Sequence, residues 1–544
     1  MPYRDPLTAI MAVPEVAEHK RYCGHCGVPV GRGHDDQPGR TEGFCPKCGT
    51  GFSFTPKLSA GDLVAGQYEV LGCLAHGGLG WVYLARDRNV SDRWVVLKGL
   101  LDTGDSDAMA AAVAERRFLA TVEHPNIVKI HNFVEHPNPK TGEQVGYIVM
   151  EYVGGSSLKQ LRSERDDDGV LRPLPLARAL AYILEVLPAL GYLHGLDLLY
   201  CDFKPDNVIQ TEEQLKLIDL GAVRRMDDHD SATYKTDGYC APELETDGVS
   251  VASDLFTVGR TLAVLTVNFD YTGAYRYRLP DAVDVPLLAE HDSFHRLLLR
   301  ATAEDPEARF TTAAEMADQT TGVLREVLAA EDGTPRPALS TVFSTEREVF
   351  GGDPGHWPVP LTPTLVVAAL PVPLVDPTDL AAGFLATTTI SDPIRLSAAL
   401  DGTGLSTVET VLALVRAKID AGDLAGADAD LAALEQTEDA DWRITWYRGL
   451  AALAGGYPDH ARTLFDTTYD LFPGEAAPKL ALAATEELLG NPARAARLHE
   501  LIWRTDHGYV SAAFGLARTR LWQGDRNGAV AAAESVPPSS GHHM

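Results

Sequence analysis

The sequence lacks an excess of positive charge. It contains 47 lysines and arginines against 76 aspartates and glutamates, and the formal net charge is −29 at pH 7. Nucleic-acid backbones and anionic membranes attract proteins through a basic face, so this balance argues against both as partners. We therefore expect no nucleic-acid partner, and we expect most acidic side chains to lie on the solvated surface.

Long apolar runs are also missing from the printed sequence. No apolar stretch approaches the roughly 18–20 residues that a membrane helix needs, and the first 20 residues show no signal-peptide pattern. These absences predict a soluble, cytoplasmic protein without membrane insertion. A chain of 544 residues has room for three or four domains with ample core.

Cysteine is scarce, with seven in the chain, but four of them form a regular pattern. Cys23, Cys26, Cys45 and Cys48 belong to two Cys-x-x-Cys-Gly turns. Four thiolates on two such turns can form a tetrahedral site for iron or zinc, and a metal would stabilise a segment too short to build an apolar core. Two disulfides are the alternative, which a cytoplasmic location disfavours.

The most informative stretch is the pair of motifs at residues 200–207 and 219–221, which read Tyr-Cys-Asp-Phe-Lys-Pro-Asp-Asn and Asp-Leu-Gly. Their polar side chains have the spacing with which kinases handle a nucleoside triphosphate and magnesium. The four candidates are Asp202, Lys204, Asn207 and Asp219. A single match of this kind is weak, so the motifs around it decide.

The upstream motifs occur in the order that kinase chemistry requires. Residues 72–82 place clustered glycines between two apolar runs, which predicts two strands joined by a loop whose bare backbone closes over phosphates. A third predicted strand ends in Lys98, and Glu115 follows in an alanine-rich helical stretch. Taken alone, the glycines are explained by a hairpin turn, Lys98 by a solvated lysine and Glu115 by an exposed charge on a helix. The occurrence of all these motifs in the required order makes chance assembly improbable.

This ordered set resembles the protein serine/threonine kinases. The resemblance implies that the glycine loop contacts the nucleotide through Ala75, His76, Gly77, Gly78, Gly80 and Val82. It implies that the adenine pocket is formed by Met150, Glu151 and Val153. It further implies that Glu115 holds Lys98 on the α- and β-phosphates of ATP, and that Asn207 and Asp219 hold Mg²⁺.

The same resemblance assigns the chemistry to the first motif. Asp202 orients and deprotonates the substrate hydroxyl, Lys204 offsets charge on the transferred phosphoryl group, and Thr236 braces both. Tyr200 and Cys201 replace the His-Arg pair that usually precedes the catalytic aspartate. Because that arginine pairs with a phosphorylated activation loop, its absence predicts that loop phosphorylation is not the main switch.

The C-terminal region repeats with a period of 34 residues. Four glycines mark the period, and an alanine follows each of them five residues later: Gly422 and Ala427, Gly456 and Ala461, Gly490 and Ala495, Gly524 and Ala529. This is the period and spacing of tetratricopeptide repeats. Such stacks bind protein partners or self-associate, and a purely scaffolding role is the alternative.

The order of cysteine knuckles, kinase and repeats resembles the actinobacterial protein kinase G family. The resemblance implies a multidomain α+β fold: a small rubredoxin-like metal-knuckle domain, a bilobal protein kinase fold and an all-α tetratricopeptide solenoid. The predicted boundaries are 1–20 for an N-terminal segment, 21–56 for the rubredoxin-like metal-binding domain, 57–334 for the kinase domain, 335–400 for a proline-rich linker, 401–536 for the repeats and 537–544 for a tail.

The family resemblance also predicts the function. It implies an enzyme that transfers the γ-phosphoryl group of ATP to Ser and Thr of protein substrates, that regulates metabolism, and whose active site is controlled by the flanking domains. The alternative is a catalytically weak pseudokinase that acts as a scaffold and binds protein partners through its repeats. The retained Lys98, Asp202, Asn207 and Asp219 speak against that alternative.

Overall fold

The computed structural model describes residues 5–33, 38–77, 80–99, 117–138, 142, 144–163, 165, 169, 171–228, 235–352, 361–437 and 441–538. The chain divides into two compact units. The first comprises Met1–Leu174, Tyr182–Tyr277 and Thr311–Ala314, and the second comprises Pro175–Ala181, Arg278–Phe310 and Glu315–Met544.

The first unit begins with the two cysteine knuckles. Each knuckle closes through a backbone hydrogen bond, from Gly27 N to Cys23 O and from Gly49 N to Cys45 O, both 2.9 Å long. Both glycines have positive φ values, +69° and +74°, which other residues adopt at a cost. Strands β1 (Glu42–Phe44) and β2 (Gly51–Ser53) form an antiparallel hairpin around the second knuckle.

A six-stranded antiparallel sheet follows. Its strands are β3 (Leu63–Val64), β4 (Tyr68–Gly77), β5 (Gly80–Asp87), β6 (Arg93–Gly99), β7 (Ile130–Pro137) and β8 (Gln144–Glu151), in the order β3-β4-β5-β6-β8-β7. The inner strands β6 and β8 are buried over consecutive residues, so both of their faces contact protein, and valine, leucine and tyrosine supply many of these side chains. The glycine-rich stretch predicted to be a strand, a turn and a strand is therefore the β4–β5 hairpin.

The knuckle domain packs directly on this sheet. Cys23, Cys45 and Phe54 belong to the same apolar cluster as buried residues of β4, β5 and β6. The Tyr83 hydroxyl of β5 accepts hydrogen bonds from the backbone N–H groups of Lys57 and Leu58, at 2.9 and 3.3 Å. The knuckle domain is therefore in direct contact with the strands that carry the glycine loop.

The rest of the first unit is mainly helical, with short strand pairs. Its helices are α1 (Leu158–Arg162), α3 (Val251–Thr266) and α2 (Leu176–His194), whose residues up to Ala181 belong to the second unit. Its strands are β9 (Ser156–Ser157), β10 (Leu198–Leu199), β11 (Val208–Gln210), β12 (Leu215–Leu217) and β13 (Arg224–Arg225). The strands pair antiparallel as β12-β11-β9 and β10-β13. Helix α3 is buried from Ser253 to Thr266, so both polar and apolar side chains along it contact protein.

Within the described residues, α2 is the helix that is long and apolar enough to cross a membrane by length and composition. Fifty-six per cent of that stretch is buried inside the protein. Its Glu185 carboxylate accepts hydrogen bonds from Asn126 Nδ2 at 3.1 Å and from Leu215 N at 2.5 Å. The same length and hydropathy are found in core helices, and these contacts are those of a core helix.

The second unit contains helices α4 (Pro286–Glu290), α5 (Asp292–Ala301) and most of α6 (Ala313–Asp332). The composition of the segment 335–400 predicts an extended linker, but three helices begin within its described residues (335–352 and 361–400): α7 (Pro363–Ala369), α8 (Ala382–Thr387) and α9 (Pro393–Thr403). Phe343, Phe350 and Val366 from this segment are buried in the same apolar cluster as the repeat helices. Much of the segment is therefore packed against the repeats.

The repeats form four helix pairs, which confirms the predicted tetratricopeptide region. The pairs are α10 (Val408–Asp420) with α11 (Leu424–Glu435), α12 (Trp442–Ala454) with α13 (Pro458–Leu471), α14 (Ala476–Leu488) with α15 (Pro492–Thr505), and α16 (Val510–Trp522) with α17 (Arg526–Glu534). Each period-34 glycine lies in the turn of a pair with φ near +81° to +84°. The alanines five residues after these glycines are all buried. Their small side chains allow the paired helices to approach closely.

A buried ion pair joins α6 to the third repeat pair. Lys479 Nζ donates to Glu326 Oε1 at 2.5 Å, and to the carbonyl oxygens of Pro473 and Glu475 at 2.6 and 2.9 Å. The side chains of Lys479 and Glu326 are 1% and 9% exposed. Because both side chains are almost fully buried, each charge needs the other as a partner to compensate the loss of hydration.

We expect Lys479→Met to lower the free energy of unfolding by about 3–5 kcal/mol, since it leaves the Glu326 carboxylate buried and unpaired. The double variant Lys479→Met/Glu326→Leu should recover at least half of that loss. The measurement is urea unfolding of the full chain followed by tryptophan fluorescence. Lys418→Met is the matched control, because the Lys418–Asp430 pair is partly exposed, and it should cost no more than about 1 kcal/mol. Equal losses in both lysine variants would contradict this account.

Candidate active site

The carboxylate of Asp202 lies at the centre of a tight polar cluster. It accepts two hydrogen bonds from Lys204 Nζ, at 2.8 and 2.6 Å, one from Thr236 Oγ1 at 2.8 Å and one from Asn207 Nδ2 at 2.9 Å. Lys204 Nζ also donates to Thr236 Oγ1 at 2.9 Å. Four of the residues selected from the sequence are therefore in direct contact: Asp202 and Lys204, predicted to be catalytic, Thr236, predicted to brace them, and Asn207, predicted to hold Mg²⁺.

The backbone before Asp202 is held by the buried core helix α3. Asp254 accepts hydrogen bonds from the N–H groups of Tyr200 and Cys201, both at 2.7 Å. Cys201 has a φ of +65°, which is uncommon for a residue other than glycine. Thr261, also in α3, donates to the carbonyl oxygen of Phe203 at 3.2 Å. The two bonds to Asp254 and the one from Thr261 compensate the unfavourable turn and aim the Asp202 side chain.

Lys98 and Asp219 form the second charged cluster. Lys98 lies on β6 and its Nζ is 2.5 Å from Asp219 Oδ1. Burial acts to raise the pKa of Asp219, but the charge of Lys98 and the 2.8 Å hydrogen bond from Gly221 N outweigh it, and the pKa lies below its ordinary value. Asp219 is therefore ionised at neutral pH and able to bind a cation. Glu115, the predicted partner of Lys98, lies outside the described residues.

The glycine loop lies at the tip of the β4–β5 hairpin. Across this hairpin Ala75 faces Val82, His76 faces Trp81, and Gly77 faces Gly80. Gly80 has a φ of +126°, a conformation that favours glycine. Val82 in turn pairs with Lys98 of β6, so the loop and the lysine share one sheet register. Gly78 lies outside the described residues.

The predicted adenine-binding residues lie at the end of β8. Met150 is buried and pairs with Val96 across the sheet. The Glu151 carboxylate accepts hydrogen bonds from Lys216 Nζ at 2.7 Å and from Lys129 N at 2.8 Å. Because its side chain is engaged in these contacts, Glu151 can contact a nucleotide through its backbone. Val153 follows in the irregular segment after β8 and is half-buried.

The four knuckle cysteines meet at one point. Their sulfur atoms all lie within 4.8 Å of one another, and the Cys23–Cys48 and Cys26–Cys45 sulfur pairs are each 3.5 Å apart. All four are free thiols, and these separations exclude disulfide bonds, which are about 2.05 Å long. Metal–sulfur bonds of about 2.3 Å in a tetrahedron place sulfurs about 3.8 Å apart. The cysteines therefore fit a metal.

One aromatic chain runs from the knuckle domain to the glycine loop. The Phe54 and His76 rings are 6.1 Å apart between centroids, and the His76 and Trp81 rings are 5.1 Å apart in an edge-to-face contact. Burial lowers the pKa of His76 below its ordinary value, so the imidazole is neutral near pH 7. The loop thus carries a side chain that contacts both the knuckle domain and β5.

Three protein-family models match successive parts of the chain. The model of the protein kinase G rubredoxin domain matches residues 1–58, the protein kinase domain matches residues 68–317, and the protein kinase G tetratricopeptide repeat matches residues 337–544. The serine/threonine-protein kinase PknG of Mycolicibacterium smegmatis is 50% identical over 565 residues, which cover 100% of this chain and 73% of the relative. The chain belongs to the protein kinase G family.

Two further relatives show how far this similarity extends. PknG of Mycobacterium leprae is 51% identical over 567 residues, covering 99% of this chain and 73% of the relative. Serine/threonine-protein kinase PknB of Mycobacterium tuberculosis is 28% identical over 302 residues, covering 52% of this chain and 45% of the relative. This member of the protein kinase G family is thus a serine/threonine-protein kinase, and a pseudokinase scaffold is not favoured.

In this protein kinase G member, one contact at the site was not predicted from the sequence. It is the direct Lys98–Asp219 ion pair, because the two residues lie far apart in the chain and Glu115 was the expected partner of Lys98. The hydrogen bonds that Asp254 accepts from the backbone before Asp202 likewise become visible only in the folded chain.

Proposed function

We propose that this protein kinase transfers phosphoryl groups through the residues gathered around Asp202 and Asp219. The observation that supports this most directly is the Asp202 carboxylate, held by Lys204, Thr236 and Asn207 in one orientation. A fixed carboxylate can orient a substrate hydroxyl and accept its proton. Protein substrates therefore present a serine or threonine to Asp202.

The remaining residues supply binding and charge compensation. Asp219 and the side-chain oxygen of Asn207 offer the hard oxygen ligands that Mg²⁺ prefers. When bound, Mg²⁺ neutralises charge on the phosphates of ATP. Lys98 is placed to exchange its contact with Asp219 for one with the α- and β-phosphates, and Lys204 offsets charge on the transferred group. Met150 and the backbone of Glu151 and Val153 border the adenine.

We also propose that the flanking domains control the active site. The knuckle domain shares an apolar cluster with the sheet, and Phe54 reaches His76 of the glycine loop. Iron at the four cysteines is supported by the match to a rubredoxin domain. The repeats supply a surface for a protein partner or for self-association. We also propose a cytoplasmic location and substrates that regulate metabolism, which the family resemblance supports.

Lys98→Met tests the proposed roles. We expect its kcat/KM to fall by about 10²–10³, because the phosphates lose an ammonium group and Asp219 loses its partner. The assay follows transfer of label from γ-labelled ATP with Mg²⁺ to a generic protein substrate. Lys129→Met is the matched control, since Lys129 is exposed and pairs with Glu123 at the surface. A wild type that does not label protein, or a Lys98 variant as active as the control, would contradict the proposal.

A further inference from the structure

Arg260 is a buried cation in the core helix α3. It is completely inaccessible to solvent, and burial lowers its pKa to about 10, so it remains protonated at neutral pH. Its Nε donates to Gly238 O at 2.9 Å, and a second guanidinium nitrogen donates to Tyr275 O at 2.7 Å and, more weakly, to Tyr271 O at 3.4 Å. The guanidinium carbon also lies 5.3 Å from the centre of the Phe269 ring.

These contacts tie together two segments, which we name the acceptor loop (residues 236–240) and the aromatic loop (residues 269–275). The acceptor loop turns tightly, with the N–H groups of Tyr239 and Cys240 donating to Thr236 O. The aromatic loop is capped by Asp270, which accepts from the backbone N–H groups of Gly273 and Ala274. Arg260 lies beneath both loops and bonds to carbonyl oxygens of each.

The two loops fit closely against each other. Gly238 has a φ of +83°, and a Cβ atom placed there would lie 2.5 Å from Tyr271 O and 2.6 Å from Tyr271 Cδ2. The Tyr239 and Tyr271 rings pack edge to face with their centroids 5.4 Å apart. Because backbone contacts backbone here, a small shift of either loop displaces the other.

The acceptor loop borders the proposed catalytic residues. Its first residue, Thr236, contacts the carboxylate of Asp202 and the ammonium of Lys204. A polypeptide that places its hydroxyl against Asp202 therefore runs beside residues 236–240. The helix that carries Arg260 also holds the backbone before Asp202, because Asp254 accepts hydrogen bonds from Tyr200 N and Cys201 N. Helix α3 is therefore bonded both to the backbone that carries Asp202 and to the acceptor loop.

We propose that Arg260 is a positioning residue for the protein substrate, an inference that rests on the proposed function. Its planar fork fixes the acceptor loop against the aromatic loop, and together they form the wall along which the substrate polypeptide lies. The contacts of Arg260 given above are made with the two loops and not with the residues proposed to bind ATP or to act in catalysis. Its loss therefore weakens binding of protein substrates and leaves binding of the nucleotide intact.

The test is steady-state kinetics of the full chain, with the protein substrate and ATP varied separately. Arg260→Met should raise KM for the protein substrate by at least about tenfold, because three charge-assisted contacts are lost, and KM for ATP should stay within about twofold. Arg260→Lys should have a KM for the protein substrate between those of the wild type and Arg260→Met, since an ammonium group keeps the charge but not the planar set of donors. Gly238→Ala should show the same selective rise, since it separates the two loops without changing α3.

Arg347→Met is the matched control, because Arg347 also donates to two backbone carbonyls, those of Val367 and Leu370, but within the segment 335–400. It should leave both KM values unchanged. An unchanged KM for protein in a folded Arg260→Met variant would overturn the inference, as would equal rises in both KM values. If Arg260→Met does not fold, the result for Gly238→Ala decides in the same way. A wild type without activity would contradict the proposed function instead.

Discussion

Asp202→Asn should lower kcat for phosphoryl transfer by about 10²–10⁴, the contribution of a positioned general base. The carboxylate accepts hydrogen bonds from three donors, namely Lys204, Thr236 and Asn207. An amide offers only one acceptor oxygen, and its NH₂ group would face either the Lys204 ammonium or the Asn207 amide nitrogen. The variant thus loses both the proton acceptor and the fixed geometry.

The measurement is transfer of label from γ-labelled ATP, together with the affinity for Mg²⁺-ATP, which should change by no more than about threefold because Asp219 and Lys98 are untouched. Asp206→Asn is the matched control. It makes the same change four residues away, where the carboxylate is 40% exposed and pairs with Lys159, and activity should stay within about twofold. Equal labelling by wild type and Asp202→Asn would refute the assignment of Asp202.

Replacing Cys45 and Cys48 together by serine should abolish metal binding. Two of four ligands are lost, and the remaining Cys23 and Cys26 cannot complete a tetrahedral site. Metal binding to such sites contributes about 10–16 kcal/mol, so the knuckle domain should lose its order. We expect the metal content to fall below about a tenth of the wild-type value, and the kinase rate to change severalfold because the knuckles pack on the β4–β5 hairpin.

Metal analysis and visible absorption measure the first effect, and absorption also distinguishes iron from zinc, which is colourless. Cys73→Ala is the matched control, because Cys73 is buried in β4 outside the four-cysteine cluster. It should keep a full complement of metal. An unchanged kinase rate in the double variant, with the kinase domain still folded, would mean that the knuckles serve stability alone and would contradict control by this domain.

Much of this architecture could be predicted because its determinants are local. A Cys-x-x-Cys-Gly turn closes on itself, and a glycine with positive φ ends each first helix of a repeat pair, so the knuckles and the period of 34 are readable from neighbouring residues. The kinase motifs can be recognised for the same reason, because each is a short stretch of sequence and they follow one another in a fixed order. Gly422 and Gly456 illustrate this, with φ values of +81° at the predicted turns.

Other features depend on residues that meet only in the folded chain. Arg260 is one charged residue in a helix, and its role emerges from carbonyl oxygens of two loops elsewhere in the chain. Phe343 packs against the repeats, but the sequence around it shows no periodic apolar pattern from which this could be predicted. The proline-rich composition of the segment predicts a linker, and the short helices α7 to α9 were therefore not predicted. Composition reports the average behaviour of a segment, whereas burial depends on its neighbours.

The buried contact between α6 and α14 limits where this chain can be recombined with a relative. A crossover between positions 326 and 479 that joins Glu326 to an apolar residue from the other parent would leave an isolated charge in the interior and lower the stability of the chimera. We therefore expect well-folded chimeras of this chain to take residues 326 and 479 from the same parent, although 153 residues separate them along the chain.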